Sequence, residues 1–283
     1  MKHLGLHIII LVVLILPSCV SHDYDFEDYE SKVVVDGWIE NGKFPIVLLT
    51  RSAGYFSAVD SIALKNYVIT SARVEVSDGN RSEVLTLKPN DAYFPPYMYQ
   101  GTEIKGEPGK TYTLKINFNG KQVTSKTSIP EPVKLDSTYF KLDTGSDSLG
   151  FVWVKFSDNR NVNNFYRTLT KVNTKEDIYY ATHVPNFNDE YFNGQDIEIP
   201  MYKGNKSSLQ LEDNFYFFLG DTISLKFTVI DEASFEFWDS FHRELVNTGN
   251  PFAATNARVE TNINGGLGIW CGYGASYYRV IAK

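Results

Sequence analysis

The chain is a series of short runs in which apolar and polar positions alternate, separated by turn residues. The clearest runs from Lys110 to Phe118, Lys-Thr-Tyr-Thr-Leu-Lys-Ile-Asn-Phe, into Asn119-Gly120, and returns through Lys121-Gln122-Val123-Thr124. A period of two around Asn-Gly predicts a hairpin with one wet face. Ala72-Arg73-Val74-Glu75-Val76 alternates likewise, meets Ser77-Asp78-Gly79-Asn80 and resumes at Val84-Leu85-Thr86-Leu87, predicting a second hairpin. The β-branched run Lys32–Ile39 precedes Asn41-Gly42, and Phe44–Thr50 takes the pattern up again. Further strands are predicted over 137–142, 150–156, 164–173, 176–183, 214–219 and 222–230.

Only residues 232–246 carry a helical period: Phe237, Phe241 and Leu245 recur at intervals of four with Trp238 beside them, and Gly249 and Pro251 supply a stop. That aromatic stripe is expected to pack on a sheet. The tail from Asn262 to Gly274 is dense in glycine. It has no Gly-x-Gly-x-x-Gly and no Lys-Ser/Thr, so bulges or close backbone approach explain it better than phosphate binding. Ile129-Pro130-Glu131-Pro132 cannot enter a central strand and marks a boundary or hinge. The fold class expected is mainly all-β. An N-terminal immunoglobulin-like antiparallel β-sandwich over residues 33–130 is followed by a second β-rich domain over 131–283 with one α-helix.

The first eighteen residues are patterned differently. After Lys2 an unbroken apolar run extends from Ile8 to Leu16, too short to span a bilayer, and it ends in Leu16-Pro17-Ser18-Cys19. Residues 1–18 thus read as a signal peptide, cut between Ser18 and Cys19. The Leu-Pro-Ser-Cys ending resembles a bacterial lipobox, which implies acylation of Cys19 and a membrane anchor; a cleaved secretory leader with an incidental cysteine is the alternative. Residues 19–32 are acidic and aperiodic, a solvated tether. An acidic stretch behind an acylated cysteine also resembles a surface-export signal of Bacteroidota lipoproteins, with an ordinary linker as the alternative.

Composition narrows the picture further. With 34 acidic against 27 basic side chains among 283 residues, the chain carries a formal charge of −7 and no basic block, which argues against nucleic acid as a partner. Beyond the leader and tether only His183, His242 and Cys271 remain of its histidines and cysteines. Neither histidine sits in a nucleophile-elbow context, and Cys271, between Trp270 and Gly272, reads as a buried inert thiol. Two distant histidines supply no zinc site. Asp158–Asn164 and Asn186–Glu190 are oxygen-rich, yet they lack the EF-hand spacing, and turn chemistry accounts for both. The expectation is no metal, no cofactor and no catalytic residue; a hydrolase with an unrecognised site is the least favoured alternative.

Binding is the better prospect. Tyr93-Phe94-Pro95-Pro96-Tyr97-Met98-Tyr99 is kept out of a regular central strand by its prolines, so Tyr93, Tyr97 and Tyr99 are candidates for contact with a glycan or peptide ligand. Between the two readings, the one favoured is that these rings fold back onto the second domain. Tyr179, Tyr180, Tyr191 and Phe192, around the polar insert Pro185–Gly194, form a second cluster, from which Tyr191 is the candidate.

The order of these runs resembles a Bacteroidota outer-membrane lipoprotein family known as domain of unknown function 4249. The resemblance rests on the lipobox and tether, Val34–Ile39 with Pro45–Ser52, Ser71–Asp78, Gly109–Leu114, Ser128-Ile129-Pro130, Phe156-Ser157-Asp158 before Asn164–Arg167, and Asn262–Ile269. It implies a lipoprotein encoded beside a TonB-dependent receptor, the partner expected here. It carries no agreed catalytic residues. Asp followed by Ser or Thr and then a small or aliphatic residue also resembles the O-glycosylation signal of that phylum, which makes Ser61, Ser137, Ser148 and Thr222 candidates. The expected function is a non-enzymatic binding or accessory role for nutrient uptake at the outer membrane, facing the cell surface, with a periplasmic orientation as the alternative. A structural or adhesive surface protein is the second reading.

Overall fold

The β-branched run that opens the folded part becomes β1 (Val33–Glu40), which turns at Asn41–Phe44 into β2 (Ile46–Arg51). The computed structural model describes residues 30–54, 63–204, 215–247 and 258–283. After a four-residue helix α1 (Ala63–Asn66) come β3 (Arg73–Ser77), β4 (Ser82–Val84), β5 (Thr86–Pro89) and β6 (Tyr97–Gln100). The hairpin β7 (Thr111–Phe118) and β8 (Lys121–Ser128) follows. The second half contains β9 (Ser137–Leu142), β10 (Leu149–Ser157), β11 (Phe165–Val172), β12 (Tyr180–Asn188), β13 (Asp196–Met201), β14 (Phe217–Phe218) and β15 (Thr222–Ile230). The helix α2 (Glu232–Asn247) and a long last strand, β16 (Leu267–Ile281), complete it. Among the described residues the protein is mostly β, as the alternation predicts, with α2 the one long helix. Among the described residues no helix is long and apolar enough to cross a membrane.

The β7–β8 hairpin forms in the expected register, with Asn119 and Gly120 both at positive φ, the geometry that matches the twist of paired strands. The second predicted hairpin divides. β4 pairs with β3, but at buried Leu85 the chain leaves that sheet and β5 pairs with β6 in another. β6 was not expected as a strand; its residues sit between β2 and β5, because Pro95 and Pro96 fall just before the ladder rather than within it. β12 extends through Pro185 to Asn188, where the sequence suggests a polar insert, and β13 likewise was not foreseen.

Among the described residues three sheets result. A sheet of eight runs β12-β11-β15-β16-β1-β2-β6-β5, and two of four are β4-β3-β7-β8 and β13-β10-β14 with β9 on β10. The inner faces of β1 and β2 meet those of β3 and β7 across a core including Val35, Ile39, Val47, Val74, Leu114 and Ile116. A second core gathers Val152, Val154 and Phe156 of β10 against Tyr166, Leu225 and Phe227. The chain passes from one core to the other at Ile129–Pro132, where the sequence places a boundary, yet Ser31–Lys283 forms one compact unit. The reason is β16. It pairs in parallel with β1 through its first half and antiparallel with β15 through its second. The first sandwich therefore takes a strand from the C-terminal end of the chain and is not closed within residues 33–130, and its ladder includes one parallel pair.

The tail glycines allow this crossing. A Cβ on Gly272 would lie 2.3 Å from the carbonyl oxygen of Ser128, and one on Gly274 2.2 Å from that of Pro130. β16 runs against the segment leaving β8 at backbone distance, which only glycine permits. Trp270, fully buried in the first core, anchors the crossing and donates its indole N–H to the Tyr112 carbonyl at 3.1 Å.

A candidate binding recess

The eight-stranded sheet has a second face, turned away from both cores. Alternation along β1 sends Val33, Val35 and Ile39 inward and Asp36, Trp38 and Glu40 outward. Helix α2 covers part of this face, with Phe237 packed on Ile269, Cys271, Tyr273 and Ala275. Asp231 fixes where the helix starts. Its Oδ1 accepts the Ser234 N–H at 3.0 Å as an N-cap, and its Oδ2 accepts the Thr127 hydroxyl and the Ser128 N–H, which ties the helix to β8. The apolar stripe read from the sequence is rotated in place: Ser234, Phe237 and Ser240 are buried, and Phe241 is 37% exposed and stacks on Phe237. The small serines let the helix lie close to the sheet.

Buried charges occupy the rest of the face. Glu40 is 4% exposed and pairs with Lys226 of β15, accepts the Tyr277 hydroxyl and holds Lys43 at 2.8 Å. Burial alone would raise its carboxyl, but Lys226 and Lys43 outweigh it and hold Glu40 down at about 2. Arg167 of β11, also buried, donates to Asn186 Oδ1 at 2.7 Å and lies 3.7 Å above the Trp238 ring. Lys226 lies over Tyr273 and Lys43 over Tyr277 in the same way.

Asp36 stands apart. Its ladder partners Leu48 and Ile269 are 4% and 1% exposed, and it lies on a strand flanked by β16 and β2. Asp36 is nevertheless exposed, so water reaches the face between these two covered neighbours. Among the described residues its carboxylate makes no hydrogen bond or ion pair. The protein crowded around it raises the carboxyl from 3.8 to about 6, against a smaller opposing pull from Arg167. Trp38, two residues on, faces the same way and meets Tyr93 with ring centroids 5.8 Å apart. Tyr93 is reached by the 90–96 loop, where the Asn90 N–H bonds the Pro96 carbonyl and the Asn90 side chain the Met98 sulfur at 3.7 Å. Burial, then the charges of Glu40 and Asp36, raise the Tyr93 phenol. The candidate recess is thus defined by three side chains, the exposed Asp36 carboxylate with the Trp38 indole and the Tyr93 phenol beside it.

Of the tyrosines singled out from the sequence, Tyr93 alone is placed at this recess. Tyr99 is a correction: it is 3% exposed, because β6 is a ladder strand whose odd positions face the first core, and its hydroxyl donates to the Ile69 carbonyl and accepts the Ala72 N–H. Tyr97 shares that inward side at the strand end and is 42% exposed. Tyr191 is 86% exposed in the turn between β12 and β13. Ser137 and Ser148 are exposed and Thr222 is half-buried at the start of β15. Ser18, Cys19 and Ser61 lie outside the described residues.

The remaining candidates have structural explanations. Asp158 Oδ1 accepts from Asn164 Nδ2 and the Tyr166 hydroxyl, its Oδ2 accepts the Gly194 N–H, and Asp189 Oδ2 accepts the Asn164 N–H, so the oxygen-rich loops bond each other. Among the described residues no three His, Cys, Asp or Glu side chains converge as metal ligands would. Cys271 is fully buried and its thiol is pushed up to about 12 by that burial. His242 is half-buried on α2, and burial with nearby His183 and Arg167 lowers it. Sequence reasoning missed Asp36, Glu40, Arg167 and Lys226. Their signal was a charged residue inside an apolar strand run, as in Val33-Val34-Val35-Asp36 and Leu225-Lys226-Phe227.

No curated protein matches the chain. The match that does emerge covers residues 21–279, nearly the whole length, and includes every strand of the recess floor. The chain belongs to the DUF4249 family, a domain of unknown function.

Proposed function

We propose that this protein is a lipid-anchored, non-enzymatic binding protein of the bacterial outer membrane that faces the cell surface and serves a TonB-dependent nutrient-uptake system. The observation that carries the binding role is Asp36, a water-accessible carboxylate without a side-chain hydrogen bond or ion pair, at the centre of a sheet face where the neighbouring Glu40 carboxylate is held by Lys226 and Lys43. Such a group costs stability where it stands, and a ligand that hydrogen-bonds it recovers that cost. The anchor rests on Leu16-Pro17-Ser18-Cys19 and the acidic stretch behind it. The partner rests on the resemblance to lipoproteins encoded beside such receptors. The non-enzymatic reading is supported by the burial of the Cys271 thiol and by the half-buried place of His242 on α2.

Two measurements test this. Cys19→Ala should move the protein from the membrane to the soluble fraction or leave it unprocessed, and unchanged membrane retention would contradict the anchor. Deletion of the gene should impair uptake of a substrate of the neighbouring receptor. Normal growth on every such substrate would remove the uptake role.

A further inference from the structure

From the same recess we infer the ligand class: a neutral saccharide, seated on Trp38 and Tyr93 with its hydroxyls donated to Asp36. This rests on the binding role proposed above and adds what is bound. An ionised carboxylate only accepts, so whatever occupies the recess must bring donors, either hydroxyls or an ammonium. The surrounding charges decide between them. Glu40 is already held by Lys226 and Lys43, and Arg167 already acts on Asp36 itself, so an incoming ammonium would add to a surplus of positive charge. The aromatic surfaces agree. Tyr273, Tyr277 and Trp238 each carry one of the protein's own cations, whereas among the described residues no cation lies over Trp38 or Tyr93. A tilted indole–phenol pair beside a free carboxylate matches a sugar ring, which has an apolar C–H face and equatorial hydroxyls at its edge. Water access at Asp36, with covered residues on both sides, means that the carboxylate is reached without unfolding the helix or the sheet.

The test is calorimetric titration of the full chain, held in a polyoxyethylene detergent that contains no sugar. The probes are hexasaccharides of α-glucan, β-glucan, xylan, mannan and chitin, with choline and a neutral hexapeptide alongside. At least one saccharide should bind, and both Asp36→Asn and Tyr93→Ala should weaken it at least about tenfold, with the thermal midpoint of each variant within a few degrees of the parent. Absence of binding to all five saccharides, or binding that both variants retain, would overturn the saccharide assignment. If choline or the peptide binds instead and Asp36→Asn abolishes it, the recess stands as a binding site and only its ligand class is wrong. If no probe binds and Asp36→Asn leaves uptake in cells unchanged, the recess loses its binding role as well.

Discussion

Replacing Asp36 by asparagine should stabilise the protein, and only above a defined pH. The side chain keeps its size and its place on the outer face of β1, so the perturbation is the loss of an ionisable group. In the folded chain crowding raises the carboxyl from 3.8 to about 6, with Arg167 pulling the other way and Tyr93 and Tyr273 as the titratable neighbours. Below 3.8 both folded and unfolded chains hold the proton, and the carboxyl contributes nothing. Between 3.8 and 6 the unfolded chain releases its proton while the folded chain retains it, so stability falls as pH rises; above 6 the penalty is complete. For a carboxyl sealed from water that rise would correspond to about 3 kcal/mol. Water reaches Asp36, and screening reduces the figure to about 1 kcal/mol, or a few degrees in the thermal midpoint of a domain this size. Urea denaturation of parent and Asp36→Asn at pH 4.5 and pH 8 measures it. About a third of the penalty is already present at pH 4.5, so the variant should be slightly more stable there and about three times as much so at pH 8. An equal difference at both pH values, or a less stable variant at pH 8, would refute the electrostatic account.

Three other outcomes follow from the same geometry. Lys226→Met leaves Glu40 buried with only the half-exposed Lys43 as counter-charge and should cost about 3 kcal/mol in urea denaturation, whereas the double variant with Glu40→Gln should recover most of it. A loss of less than about 0.5 kcal/mol would mean that the pair is idle. Gly272→Ala drives a methyl to 2.3 Å from the Ser128 carbonyl and should destabilise by at least about 2 kcal/mol; an unchanged midpoint would mean β16 can move away from β8. In the native protein Cys271, whose thiol is raised to about 12, should resist a thiol reagent at pH 8 and react only after denaturation, and labelling of the native protein at the rate of a free thiol would contradict its burial.

The local pattern was enough for the parts that depend on near neighbours. Alternation and Asn119-Gly120 specify the β7–β8 hairpin, because a two-residue turn at positive φ and one wet face leave a single register. The spacing of Phe237 and Phe241 specifies α2 for the same reason. The glycines of the tail announced a close backbone approach, but not to what. That β16 lies beside β1, more than two hundred residues away, and completes the first sandwich depends on contacts that no local period encodes. Tyr99 illustrates the other side: its prolines suggested exposure, and the ladder between β2 and β5 buried it. The recess was invisible for the same reason. Asp36 in an apolar run is an oddity in sequence. Only the pairing of β1 with β2 and β16, the loop that carries Tyr93 and the arginine from β11 turn it into an unpaired carboxylate open to water, because desolvation and charge act through space rather than along the chain.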